Sequence, residues 1–163
     1  MADYPFMPSG LFPVEGNAPV ITGGTTSDYV SLKNARMCWV VCHFANATTH
    51  NDATTIEQAT DVAGTGTTPI VNAVPIWFGV VTSASSKLAA QTSAVSFTAP
   101  DATGDKILIF QIDPASLSIG FDCICVKIGN SGHATNYVSV MFWMLPRYPN
   151  KVSAMSATEY IVD

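Results

Sequence analysis

The stretch "RMCWVVCHFANATTH", Arg36 to His50, decides how the chain is read. It holds Cys38, Cys42, His43 and His50, and a second cysteine pair, Cys123 and Cys125, sits far downstream in "FDCIC". On a strand, Cys38 and Cys42 share a face but stand about 13 Å apart, at about 3.3 Å per residue. Zinc holds each sulfur about 2.3 Å from one ion, usually through C-x-x-C at a turn, which a strand-borne C-x-x-x-C cannot reproduce. Cys123 and Cys125 are about 6.6 Å apart by the same spacing, awkward for a mutual disulfide. His43 points to the face opposite Cys42. A buried thiol behaves as a small hydrophobe, so Cys38, Val40, Cys42 and Phe44 read as one apolar stripe of a core strand. A cross-strand disulfide between the two pairs stays open at this point, although a cytoplasmic origin disfavours it.

Working outward, the rest of the chain also reads as strands. Thr, Val, Ile and Ser are abundant, and no segment keeps helical apolar spacing for three turns. Strands are expected near 29–33, 36–45, 54–62, 75–82, 93–99, 105–113, 120–128 and 136–145, with a short one near 158–162. Strands 36–45, 105–113 and 136–145 are apolar on both faces, which predicts central positions covered on both sides. Trp39, Trp77 and Trp143 lie inside strands and are read as core. "AGTGTTP" (63–69), "TSASSK" (82–87), "PDATGD" (100–105), "DPAS" (113–116) and "GNSGH" (129–133) carry turn chemistry. Helical turns are expected only near "SSKLAAQTS" and "DPASLS". The class is therefore all-β, a β-sandwich or jelly-roll-like barrel over residues 25–163.

Residues 1–24 differ. Pro5, Pro8, Pro13 and Pro19, with four glycines, exclude a helix or a central strand. Yet Tyr4, Phe6, Leu11 and Phe12 make the segment too apolar for a free linker. It reads as an extended arm, packed across its own domain or reaching a neighbouring subunit.

Composition narrows the function. Only 12% of residues are charged, roughly half the globular average. That suits a chain whose surface becomes interface in an assembly. A net charge of −5 and a pI near 4.9, with no basic cluster, argue against nucleic acid as a partner. No run reaches the roughly 18 apolar residues of a membrane helix, and "MADYPFMPSG" is no signal peptide. The Asn46-Ala47-Thr48 sequon reads as accidental in such a chain.

A search for chemistry finds no catalytic residues, cofactor or metal. "GNSGH" lacks the G-x-S-x-G spacing, and nothing pairs a histidine and a carboxylate with Ser131. The carboxylates appear singly, and no phosphate or calcium loop is present. The protein is read as no enzyme. A sugar-stacking module would want a tryptophan on a loop or open face, and the sequence places none there.

The blocks "SDYVSLKNA" (27–35), "QATDVAGTG" (58–66), "IDPASL" (112–117) followed by "FDC", and the closing "RYP" (147–149) recur in order across about residues 14–148. In these the chain resembles a family of small structural proteins encoded among the head and tail genes of tailed bacteriophages. The resemblance implies an all-β protein present in many copies. By analogy with other tailed-phage proteins of this size, its role would be capsid decoration or cement, as a homotrimer bound to the major capsid protein. It would be made in the host cytoplasm and carried in the virion. Tyr4, Phe6, Leu11, Phe12, Arg147 and Tyr148 are the candidate contact residues, with Arg147 the candidate partner of an inter-subunit carboxylate. The alternatives are a neck or tail structural protein and, in a different class, a carbohydrate-binding module for host attachment.

Overall fold

The computed structural model describes residues 11–81 and 87–147. In chain order the elements are β1 (Phe12–Ile21), β2 (Val30–Ser31), β3 (Ala35–Ala59), β4 (Thr68–Pro69), β5 (Val74–Val81), β6 (Ala89–Ala94) and β7 (Ser96–Ile112). A 3-10 turn (Pro114–Ser116), β8 (Cys123–Ile128) and β9 (Asn136–Pro146) follow. The fold is all-β: one antiparallel sheet of nine strands among the described residues, with the path β1-β9-β3-β7-β5-β6. β8 lies along β3, β2 along β8, and β4 along β3.

Several boundaries move. The expected strands 36–45 and 54–62 are one strand, and the polar run between them is not a loop. "PDATGD" lies inside β7, and Ala89–Ala94, expected in a helical turn, is a strand. The helical turn expected at "DPASLS" is present, capped by Asp113, whose side chain accepts from the Ala115 N–H. Of the segment read as an arm, Phe12–Ile21 forms β1, hydrogen-bonded along β9 at the sheet edge where Pro13 and Pro19 are tolerated. Gly16 lies next to a bulge of that edge, where a Cβ would come within 2.5 Å of the Phe142 ring. Residues 1–10 of the arm and the strand expected at 158–162 fall outside the described residues.

A straight strand of 25 residues would run about 80 Å. However, Cys38 pairs with Ile112, and the Gln58 side chain hydrogen-bonds Ser118, only six residues further along the chain. Six residues reach at most about 20 Å. β3 must therefore double back, and β7 bends with it, staying paired from Cys38↔Ile112 to Thr55↔Ser96. Register shifts between Asn46 and His50 and between His50 and Asp52 mark the bend. Gly104, opposite Asn46, takes φ +90°, a conformation that favours glycine.

The neighbours follow the same course. Eight residues along β3, from Asn46 to Thr54, correspond to eight residues back from Asn136 to Ile128. β8 and β9 are thus two halves of one lane, interrupted at the bend by residues 129–135. β1 and β2 track them on the outside. The result is two layers. The near layer is β1, β9, the first half of β3, the second half of β7, β5 and β6; the far layer centres on β2, β8 and the end of β3. Between them Cys38, Val40, Phe44, Phe110 and Phe142 meet Ile56, Ile124, Val126 and Val30 in one buried cluster. Burying such side chains stabilises by about 1.5–3 kcal/mol each.

Inside the bend lies a buried ion pair. Lys106 is fully buried, and its Nζ donates to Asp52 Oδ2 at 2.9 Å, the His50 carbonyl at 2.8 Å and the Pro100 carbonyl at 2.9 Å. The three protons of the ammonium are thereby satisfied. Asn46 Nδ2 donates to the same carboxylate oxygen at 2.7 Å. Removing one partner of such a pair leaves a charge buried without compensation, a loss of about 3–5 kcal/mol. Asp52→Ala should lower stability by that amount in urea unfolding, whereas Asp101→Ala, at an exposed carboxylate, should change it by less than about 0.5 kcal/mol. Equal midpoints for the two variants would refute the role assigned to the pair.

Candidate functional site

The central strands of the near layer are covered on one face only among the described residues. Inward alternates such as Cys38, Val40, Leu108, Phe110, Val140 and Phe142 are buried. The outward alternates are half-buried or exposed: Trp39 and Val41 on β3, Ile109 on β7, Trp77 on β5, Met141 and Trp143 on β9. The expectation of cover on both sides is thus corrected, and so is the assignment of the three tryptophans to the core. Each tryptophan alternates with residues that are buried, such as Val40, Ile76 or Phe142, so the two-residue strand period turns it outward.

Register joins these side chains into one patch. Trp39 lies opposite Trp143 on one side and Gln111 on the other; Val41 lies between Ile109 and Met141; Trp77 lies opposite Ile109. The Trp39 indole N–H donates to Gln111 Oε1 at 3.3 Å, so the polar edge of that ring is already engaged. At the bend end His43 stands 3.8 Å from Asp105. The patch is therefore mostly apolar, with the exposed Glu15 of β1 opposite Met141 at its margin.

At the opposite end the patch opens into a depression of about 660 Å³ lined by Arg36, Met37, Trp39, Asp113, Leu145 and Arg147. Arg147 is fixed there through its Nε, which donates to the Ala35 carbonyl at 3.0 Å, and its backbone N–H, which donates to the Asn34 carbonyl at 2.8 Å. The depression thus sets two guanidinium groups against the Asp113 carboxylate, beside a tryptophan and two apolar side chains. Of the sequence-predicted contact residues, Arg147 lines the depression, whereas Phe12, paired with Met144, packs against the core instead. Leu11 is half-buried beside Phe12; Tyr4, Phe6 and Tyr148 lie outside the described residues. Sequence reasoning missed Arg36, although its place just before the Met37–Trp39 outer stripe was a usable signal.

Cys38, Cys42, Cys123 and Cys125 are free and buried. Burial pushes the Cys42 and Cys123 thiols up to about 12 and Cys125 to about 11, and raises Cys38 further still. Ser131 Oγ lies 2.6 Å from the Thr22 hydroxyl, which donates to it, and it accepts from the His133 backbone N–H. These bonds close a turn between β8 and β9. Among the described residues no three His, Cys, Asp or Glu side chains gather as metal ligands, and no helix is long and apolar enough to cross a membrane.

No protein-family model matches the chain, and no curated protein matches it. Among solved structures it is similar to the crystal structure of the SPBc2 prophage-derived protein YomS. The identity is 10% and the TM-score 0.46, over 83% of this chain and 92% of that one.

The buried thiols give the fold a defined alkaline limit. Their pKa values are raised in the folded state, so below the ordinary value of 9.0 they are protonated folded or unfolded, and their contribution to stability is fully present. As pH rises from 9 towards 11–12 the unfolded chain releases these protons first, and stability falls. Urea midpoints should decline across that window. Ellman's reagent at pH 8 should label the four thiols only on unfolding; rapid labelling of the native protein would contradict their burial.

Proposed function

We propose that this chain is a structural protein of a tailed-bacteriophage virion, and that it decorates the head shell as a cement protein. The observation that carries the reading is the apolar outer face of the near layer, presented by a chain in which only 12% of residues are charged. A protein working alone in water would spread charge over such a face; one that works inside an assembly has it covered. The ordered sequence blocks that resemble phage head and tail proteins supply the kind of assembly.

The mechanism is mechanical. A head filled with DNA pushes outward on its capsomers, and a protein bridging their junctions adds many weak contacts that act together. Arg36 and Arg147 rim the depression beside Trp39 and would receive carboxylates of the major capsid protein. Tyr4 and Phe6, which precede β1 in the sequence, would extend the grip. A carbohydrate-binding role is less well supported. Stacked sugars need polar partners around the exposed rings, and here Trp39 has its N–H engaged and Trp143, Val41 and Met141 around it.

Gold-labelled antibody against the protein should decorate heads of purified phage particles evenly, with hundreds of copies per particle. Gold at the neck or along the tail would transfer the protein to a connector or tube role, and no gold would undo the virion reading. Deleting residues 1–10 should abolish shell binding and leave the melting curve unchanged, because β1 begins at Phe12. Undiminished occupancy would refute the grip by that segment.

A further inference from the structure

We infer that the bend of β3 binds one internal water molecule, held between Asn46 Oδ1, Asp52 Oδ1 and Thr54 Oγ1. The inference concerns the core and does not rest on the assembly reading.

The site is built from oxygens that the protein leaves without partners. Asn46, Asp52 and Thr54 are buried, at 2%, 1% and 1% exposure. Among the described residues, Asn46 Oδ1, Asp52 Oδ1 and Thr54 Oγ1 have no hydrogen-bond partner. Roughly 90% or more of buried polar groups have one, so three such atoms on neighbouring side chains point to a bound group. They are neighbours by two links. Asn46 Nδ2 donates to Asp52 Oδ2 at 2.7 Å, which holds those side chains together. Asp52 and Thr54 alternate onto the inner side of β3, about 6.6 Å apart along the strand. Two hydrogen bonds of about 2.8 Å meeting at one oxygen cover most of that distance, and the side chains lean across the rest.

No rearrangement within the cluster would satisfy these atoms. Turning the Asn46 amide over would set its oxygen against the Asp52 carboxylate, acceptor against acceptor. Asn46 Oδ1 and Asp52 Oδ1 only accept, so neither serves the other. The three protons of Lys106 already go to Asp52 Oδ2 and to the carbonyls of His50 and Pro100. The cluster therefore needs two donors for its two acceptors, and an acceptor for the Thr54 hydroxyl. One water supplies that set, and three hydrogen bonds are typical of an internal water.

A metal ion is the other small group that three oxygens could hold, and charge argues against it. Asp52 is already matched by Lys106 at 2.9 Å. A second cation would share one buried carboxylate with an ammonium, leaving positive charge uncompensated in the interior. A neutral water adds none. Its place also gives it a structural role: Asn46 precedes the register shifts of the bend and Thr54 follows them, so the water ties the two arms of β3 together.

The test uses the full chain. Oxygen-17 relaxation dispersion, which reports waters held for longer than the protein tumbles, should show a long-lived water in the parent. Thr54→Val removes the hydroxyl and sets a methyl where the water's hydrogen bond lay, so the amplitude should fall by the share of one water. A parent without dispersion, or a variant with undiminished amplitude, would overturn the inference. Should the variant unfold, a high-resolution crystal map of the parent decides. A peak about 2.8 Å from each of the three oxygens supports the water; no peak overturns it. Replacing sodium chloride by potassium or choline chloride should leave the melting temperature unchanged. A shift that follows the cation, or a peak only about 2.3–2.6 Å from the oxygens, would put a metal ion there and overturn the inference.

Discussion

Everything in this molecule depends on folding the β3–β7 ribbon back on itself. A long antiparallel ribbon left straight would expose both faces, and no hydrophobic core would exist. Bending it brings Cys38, Val40 and Phe44 over against Ile56 and the β8 residues, and the core is the space enclosed. The bend has a chemical cost, because bulges remove ladder partners from backbone carbonyls that are by then buried. Lys106 answers it by donating to the carbonyls of His50 and Pro100 while Asp52 balances the charge. A long flexible cation is suited to this position because its three donors can collect acceptors from separate strands.

The same doubling explains why, among the described residues, the near layer has a largely apolar outer face. The inner surfaces of the two layers cover each other, and the far layer is short. The near layer has four central strands whose second face is left uncovered by the described residues. Tryptophans and aliphatic side chains make up most of that face. The opposite sheet edge at β1 carries prolines and bulges, devices that discourage strand-to-strand extension. That edge is thereby protected from strand-to-strand pairing.

Much of this was legible in the sequence. Period-two alternation, β-branched composition and turn residues gave the strand class and most strand positions, because those signals arise from the local pleat and local backbone conformation. The Cys38–Phe44 stripe was read as core, and it is fully buried. Arg147 was singled out as a fork-shaped cation in a charge-poor chain, and it lines the depression together with Arg36. What failed did so for one reason: sequence proximity cannot report which polar residues are turned inward. "ANATTHNDATT" has the composition of a loop, yet it is strand, with Asn46 and Asp52 committed to Lys106. The Lys106 of "DKILIF" looks like an ordinary strand-start lysine until the bend encloses it.

By itself the sequence determined that the chain is all-β, that its thiols lie on strands, and that its charge is sparse. These are consequences of local geometry and composition, and they hold whatever the topology. Only the tertiary structure decided that two expected strands are one, and which of two apolar faces each central strand buries. An alternating strand carries the same pattern whichever side meets the core. The choice is made by the partner layer, which exists only once the ribbon has bent and Lys106 has found its carboxylate.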